Sequence, residues 1–248
     1  MTLSVIIISK NEAHDIEECL RSVSFADEIV VVDSESTDDT CDIARRYTQH
    51  VHVVPWRGFG PQKNHALDLA TGDWILSLDC DERISEPLRD SIVKAIDSTD
   101  AVGFMLPFRT SYCGRFIRFG DWSNERKLRL FRRDAGRFDD AIVHEKINLR
   151  GPIRTLKGHV LHYSVRSRED MLEKGMRYAE LGADSAFQAG RTATRFTAWG
   201  RGGFAFIRGY VLKGGFLDGR RGLELAVTLA RLTYRKYELL AQRCRRSA

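Results

Sequence analysis

Residues 3–33 read LSVIIISKNEAHDIEECLRSVSFADEIVVVD, and the order of patterns in this stretch decides the fold. Leu3 to Ser9 is a short run rich in β-branched residues, as expected of a strand buried on both faces. The apolar spacing then changes. Ile16, Cys19, Leu20 and Val23 fall at i, i+3, i+4 and i+7, which is helical spacing, and Asn11 stands where a helix cap is expected. Glu28 to Asp33 returns to a strand. Two buried strands joined through a helix predict a parallel pair, because such a pair needs a crossover to bring the chain back to its starting edge.

The same alternation continues outward. Ser36 and Asp39 have capping-box spacing and predict a helix burying Ile43, Ala44 and Tyr47. "HVHVVPW" (50–56) predicts a third strand. Pro61 suits the first turn of a helix running to Ala70 and ended by Gly72. "DWILSLD" (73–79) is a fourth strand, Ser85 and Pro87 open a helix with Leu88, Ile92 and Ile96 inward, and "AVGFMLPF" (101–108) is a fifth strand. Four β-α steps predict an α/β fold with a mostly parallel sheet covered by helices, binding its ligands beyond the carboxyl ends of the strands. Those ends carry Ser9 to Asn11, Asp33 to Glu35, Trp56 to Gly60 and Asp79 to Glu82. Residues 110–165 are expected to complete the sheet edge and an acceptor loop. From Arg168 the pattern is helical, with glycine-rich joints at "WGRGGF" (199–204) and "KGGFLDGRRG" (213–222) and a last helix to about Cys244. The expected organisation is a catalytic domain over 1–165 and a helical, basic extension over 166–248.

Composition narrows the class. At 43% hydrophobic and 29% charged residues, the chain can build a core and is not of disordered type. The start, "MTLSVIIISKNE", has no basic region and no small-residue cleavage site, so no signal peptide is expected. No apolar run approaches the roughly 20 residues of a spanning helix. The five cysteines are scattered and never form C-x-x-C, which argues against a disulfide framework or structural zinc and for a reducing cytoplasm. The charge is uneven: residues 1–100 carry 9 Lys and Arg against 20 Asp and Glu, residues 191–248 carry 13 against 3. A basic tail on an acidic body predicts a polyanionic partner: anionic lipid, phosphorylated glycan or nucleic acid.

Several residues carry chemistry. Asp79 and Asp81 flank Cys80 at a strand end, where two carboxylates can reach one hard cation; on a diphosphate, that cation would neutralise charge on a leaving nucleotide. Asp33, closing its strand, can accept hydrogen bonds from a base or ribose edge. Lys63, in the first turn of a helix, can meet phosphate. In "DDAIVHEKI" (139–147) Glu145 can take a proton from an acceptor hydroxyl, with Asp139 and Asp140 next in line. His162 is a candidate metal or phosphate ligand. Arg126, Arg129 and Arg132, three apart, can grip acceptor phosphates through their guanidinium groups. Each has a plainer reading: a solvated turn for the two aspartates, a helix cap for Asp33, a surface cation for Lys63, a salt bridge for Glu145, a structural histidine for His162 and a solvated face for the arginines.

Taken together, "SVIIISKNEAHDIEECLRSV" (4–23), "ADEIVVVDSESTDDT" (26–40), "GFGPQKNHALDLATGDWILSLDCDERIS" (58–85), "RLFRR" (129–133) and "VHEKI" (143–147) resemble family 2 glycosyltransferases, in particular the lipopolysaccharide-core β-glycosyltransferases of Gram-negative bacteria. The resemblance covers residues 3–165, and "GYVLKGGFLDGRRGL" (209–223) is also typical. It implies a GT-A (nucleotide-diphospho-sugar transferase) fold, an inverting mechanism and Mg²⁺ or Mn²⁺. Carried over, Asp33 would contact the base, Asp79 and Asp81 would form the metal-diphosphate motif, with Asp81 at the catalytic centre, Glu145 would stand at the base position, and Ser9 and Asn11 would face the nucleotide. Lys63 and Arg129 join these as substrate-binding candidates and His162 as a metal candidate. Two positions depart from the family pattern: Lys10 replaces an aromatic residue, and His144–Glu145 replaces the usual Glu-Asp pair. The expected reaction moves a hexose from a nucleotide-sugar, UDP-hexose first, to a lipopolysaccharide-core or other lipid-linked acceptor. The expected setting is an anionic membrane surface at the cytoplasmic face, without nucleic acid. A pyrophosphorylase would want a glycine-rich basic loop where "SKNEAHD" (9–15) stands, and a dinucleotide oxidoreductase would want G-x-G-x-x-G there. The remaining rival is a non-enzymatic basic membrane- or polyanion-binding α/β protein, which accounts for the tail but not for the acidic strand ends.

Overall fold

Continuous apolar strands must be covered on both sides, and the computed structural model, which describes residues 1–97, 100–139 and 146–246, shows how this is done. In chain order the elements begin β1 (Leu3–Ser9), α1 (Ile16–Ser22), β2 (Glu28–Asp33), α2 (Thr40–Ala44), β3 (Val51–Val53), α3 (Phe59–Leu69) and β4 (Trp74–Asp79). There follow β5 (Glu82–Ile84), α4 (Glu86–Asp97), β6 (Gly103–Tyr112), β7 (Arg115–Phe116), β8 (Arg126–Arg132), β9 (Gly136–Phe138), β10 (Ile147–Leu149), β11 (Ile153–Thr155) and β12 (Val160–Val165). The helices α5 (Arg168–Gln188), α6 (Arg195–Phe206) and α7 (Gly219–Arg246) close the chain. Two compact units result: Met1–Phe108 with Glu125–His162, and Arg109–Asn124 with Tyr163–Ala248.

In the first unit the strands run β3-β2-β1-β4-β8-β6. β1, β2, β3 and β4 are parallel, and β8 lies antiparallel between β4 and β6. Side chains alternate across this sheet. Val5, Ile7, Leu76 and Leu78 join one core with Ile16 and Leu20 of α1 and Leu88 and Ile92 of α4. Ile6, Val30, Val32 and Ile75 join the other with Ala66 and Leu67 of α3. Each such side chain removed from water contributes about 1.5–3 kcal/mol, which is why the strands read as apolar on both faces. This is the mostly parallel, helix-covered GT-A arrangement that the resemblance implies, with a helical C-terminal part.

Three local expectations are corrected. Asn11 does not cap α1: it sits at φ +54°, its side chain accepts from Thr37 N at 2.8 Å, and Asp15 precedes the helix. Asn tolerates this left-handed backbone better than most residues, and its side chain is spent on tying two loops together. Ser36 and Asp39 form no capping box, because Ser36 bonds to Asp33 instead and α2 begins only at Thr40. The joint "WGRGGF" is inside α6. A Cβ at Gly202 would stand 2.9 Å from the Tyr234 side chain, so glycine here allows α6 to approach α7 closely rather than breaking the helix.

In the second unit, α5 opens with Ser167 accepting from Asp170 N, and α6 opens with a capping box between Thr194 and Thr197. The backbone widens to a π-helical turn over Ile207–Leu212. The second glycine-rich joint does interrupt the helices: Gly214 and Gly219 sit at φ +69° and +61° on either side of a 3-10 turn over Gly215–Asp218, and Gly222 then packs against the Gly215 carbonyl where a Cβ would clash. Tyr112, Ile117, Val165, Met171 and Leu225 form the main core, and Ala183, Ala186 and Leu240 a smaller one. All five cysteines are free.

Candidate active site

Strand register brings the predicted residues to one edge. Ser9 pairs with Asp33 across β1 and β2, and Ile8 pairs with Asp79 across β1 and β4. The three carboxyl ends therefore finish level. A groove opens above them, lined by Ser9, Lys10, Glu12, Asp79, Cys80 and Asp81, with Trp56 and Phe59 at its mouth. Those two rings meet edge to face at 4.9 Å and are both partly exposed.

The floor is tied by hydrogen bonds between the loops after β1 and β2. Ser9 Oγ donates to Asp33 Oδ2 at 2.7 Å, Ser36 donates to the same carboxylate through its backbone N (2.7 Å) and its Oγ (2.6 Å), and Lys10 Nζ donates to the Ser34 carbonyl at 2.7 Å. Asn11 N donates to Ser36 Oγ at 2.7 Å. Asp33 is fully buried; it pins this floor through Ser9 and Ser36.

Beneath Asp79 lies a buried cluster of charges. Lys63 Nζ meets Asp79 Oδ1 at 2.9 Å, and Arg129 NH2 meets Asp79 Oδ2 at 2.7 Å and Glu82 Oε1 at 2.8 Å. Glu82 Oε2 accepts from Asp79 N at 3.1 Å. Lys63 is 2% exposed and Glu82 0%, so these charges exchange water for one another. Burial pushes the Asp79 carboxyl up, but the Arg129 and Lys63 cations outweigh it and hold it well below the usual carboxylate range. For Glu82 burial prevails over Arg129, and its carboxyl is raised. Next to the cluster, His162 Nε2 lies 3.3 Å from Asp81 Oδ2. Burial lowers the imidazole pKa, but Asp81 and Glu82 more than offset this and raise it.

Ser9, Asn11, Asp33, Lys63, Asp79, Asp81, Arg129 and His162 thus gather at one end of the first unit's sheet. Glu145 and Asp140 lie outside the described residues. Asp139 is described, and pairs through its backbone and carboxylate with Lys146 N–H and C=O at the root of the β9–β10 pair. The three arginines of β8 separate, because a strand turns its side chains alternately: Arg129 is buried, Arg126 is exposed, and Arg132 stacks over Trp74 at 4.9 Å. Glu82 is the residue that pattern reading passes over. Its only signal is the alternation Glu82-Arg83-Ile84, buried at both ends, in a strand too short to announce itself.

The donor set can be tested against a divalent cation. Among the described residues no group of three or more His, Cys, Asp or Glu is arranged to hold a metal. Asp79 has both oxygens engaged by cations. Asp81, partly exposed beside His162, offers a half-site. That fits a hard cation of the Mg²⁺ kind, which commonly keeps waters and binds through one or two carboxylates plus substrate phosphates.

The sequence model of the family described as "Glycosyl transferase family 2" matches residues 4–156. The chain is 29% identical to the "Lipopolysaccharide core biosynthesis glycosyltransferase LpsC" of Rhizobium meliloti (strain 1021), covering 98% of this chain and 95% of that protein. It is 32% identical to an uncharacterized glycosyltransferase of Rickettsia felis, covering 87% and 83%. Among solved structures, it is similar to S. aureus TarS 1–349 in complex with UDP-GlcNAc (21% identity, 72% of this chain and 66% of that one, TM-score 0.49). It is also similar to Mycobacterium tuberculosis glucosyl-3-phosphoglycerate synthase with Mg²⁺ and UDP (28% identity, 46% and 44%, TM-score 0.36).

Proposed function

Because the chain belongs to glycosyl transferase family 2 and is a glycosyltransferase, we propose that it moves a hexose from a UDP-sugar, with inversion, onto a lipopolysaccharide-core or other lipid-linked glycan. The observation that carries this reading is the acidic pair Asp79 and Asp81 at the open end of β4, level with the tips of β1 and β2. The donor's nucleotide lies in the groove between Ser9, Lys10 and the Trp56–Phe59 corner, and its diphosphate faces Asp81. Asp81, with His162 beside it, would hold a divalent cation, which when bound offsets the negative charge on the departing diphosphate. Asp79 is fixed by Lys63 and Arg129, and so sets the position of the β4 tip. Glu145 takes the proton from the acceptor hydroxyl; the acceptor oxygen bonds to the anomeric carbon as the bond to UDP breaks on the opposite side. The test is a panel of nucleotide-sugars assayed for slow release of free nucleotide, with UDP-hexoses expected to be turned over.

Two variants check the parts. Glu145→Gln is expected to lower turnover by about 10²–10⁴ with donor affinity unchanged; near-normal turnover would transfer the role to Asp139 or Asp140. Asp33→Ala is expected to weaken binding of UDP about tenfold or more, through the base or through loss of the floor that Ser9 and Ser36 make with it. Unchanged UDP affinity in calorimetry would leave Asp33 a structural pin alone.

The reading places the enzyme against the anionic inner surface of the cytoplasmic membrane, where a lipid-linked acceptor resides. It rests on the excess of cations in residues 191–248, 13 against 3 anions, each contributing on the order of 1 kcal/mol near such a surface.

A further inference from the structure

Nine of the nineteen exposed large apolar residues among the described residues fall between Phe196 and Leu223, so the exposed apolar surface is concentrated in one short stretch of the second unit. Phe196 is 88% exposed, Trp199 66% and Leu212 68%. Along α6 and into the π-helical turn, Phe196, Trp199, Gly203 and Ile207 follow helical spacing and lie along one side. The opposite side of α6, through Ala198, Gly202 and Ala205, is buried. On the exposed side, a Cβ added at Gly200 or Gly203 would meet nothing within 4 Å. Glycine costs about 1 kcal/mol relative to alanine within a helix, and packing inside the chain does not call for it at these two positions. A contiguous exposed apolar face of this kind marks an interaction site.

Charge selects the occupant. The three acidic residues of the segment 191–248 are already engaged. Asp218 accepts from Arg118 N and Phe119 N, Glu224 pairs with Arg220 and Arg221, and Glu238 pairs with Arg235. Among the described residues no carboxylate pairs with Arg195, Arg201 or Arg231. Arg201 stacks over Tyr237 at 5.5 Å, and Arg231 borders the groove between α6 and α7 that Trp199 and Phe206 also line. A second copy of the same face would bring like charges together. An anionic bilayer answers both features, taking rings into the boundary between headgroups and chains and phosphates onto the cations. Among the described residues no helix is long and apolar enough to cross a membrane, which fits an element lying in the plane of the interface.

Resting on the membrane reading above, we propose that the face carrying Phe196, Trp199, Ile207 and Val211 inserts into the acyl boundary of an anionic membrane. The attachment is then an embedded one, and not a purely electrostatic contact. The test uses the full chain with vesicles of phosphatidylcholine alone and of phosphatidylcholine with phosphatidylglycerol, the latter also with lipids brominated along the chain. Tryptophan emission is expected to shift to the blue on anionic vesicles and to be quenched by the bromines, and both changes are expected to vanish in Trp199→Phe. Phe196→Ser with Trp199→Ser is expected to weaken partitioning at least about tenfold, with an unchanged circular dichroism spectrum because both side chains are largely exposed. Salt-sensitive binding to anionic vesicles without shift or quenching would overturn insertion while leaving the electrostatic reading intact. No binding at low salt would overturn both. A concentration-dependent dimer that shifts Trp199 emission without vesicles would assign the face to a second copy and overturn the proposal.

Discussion

Asp81→Ala is expected to lower glycosyl transfer by about two to three orders of magnitude, the usual effect of removing one group that stabilises developing charge, while shifting the melting temperature by no more than about 2 °C. The asymmetry follows from what Asp81 touches. Its carboxylate is partly open to solvent and among the described residues pairs with His162, at 3.3 Å, an imidazole that can turn neutral once Asp81 is gone because burial already opposes its charge. Under the proposed function its partner is the diphosphate of the donor, and the loss is expected in turnover and in metal dependence together. Transfer assayed over a Mn²⁺ titration, with melting curves on the same samples, checks both halves.

Asp79→Ala is expected to behave differently, with loss of activity and about 3 kcal/mol of stability together, or a fall in melting temperature on the order of 6–12 °C. Sequence alone treats the two aspartates as one pair of ligands for a cation. The structure distinguishes them: Asp79 lies between Lys63 and Arg129, both almost wholly buried, and removing it takes a counter-charge from each of these buried cations. The loss falls at the lower end of the range for broken buried pairs because the Asp79 carboxylate itself is 39% exposed. Since its pKa is held below its unfolded value, the stabilisation it gives is present above the unfolded carboxylate pKa of about 3.9 and is lost as the pH falls toward the folded value. The stability gap between wild type and Asp79→Ala is therefore expected to be constant from pH 5 to 8 and to close in stronger acid. Thermal or urea unfolding across that range measures it.

Much of the fold was legible because the strands β1, β2 and β4 are buried on both faces and their helices on one, and both conditions leave a period in the sequence. Ser9, Asp33 and Asp79 were legible as a group because a parallel sheet ends its strands on one side. The misses have common causes. The glycines of "WGRGGF" serve close packing in one case and face outward in others, and composition alone cannot separate either from a chain break. Asn11 has a capping side chain but spends it across space on Thr37, a contact 26 residues away. Lys63 reads as a phosphate ligand from its place near the start of a helix, with a surface cation as the plainer reading; its burial against Asp79 depends on the meeting of α3 with the end of β4, which local pattern does not encode. Glu82 escapes pattern reading for the same reason, since the cation it is buried against, Arg129, lies 47 residues on.

On the proposed function, this chain transfers sugar from a nucleotide donor with a divalent cation held at Asp81. The most direct measurement is release of UDP from UDP-hexoses by wild type and Asp81→Ala, with Mn²⁺ and with EDTA. Release by the wild type that is abolished by EDTA and reduced about a hundredfold or more in the variant is the expected result. Release that is unaffected by both EDTA and Asp81→Ala would contradict it.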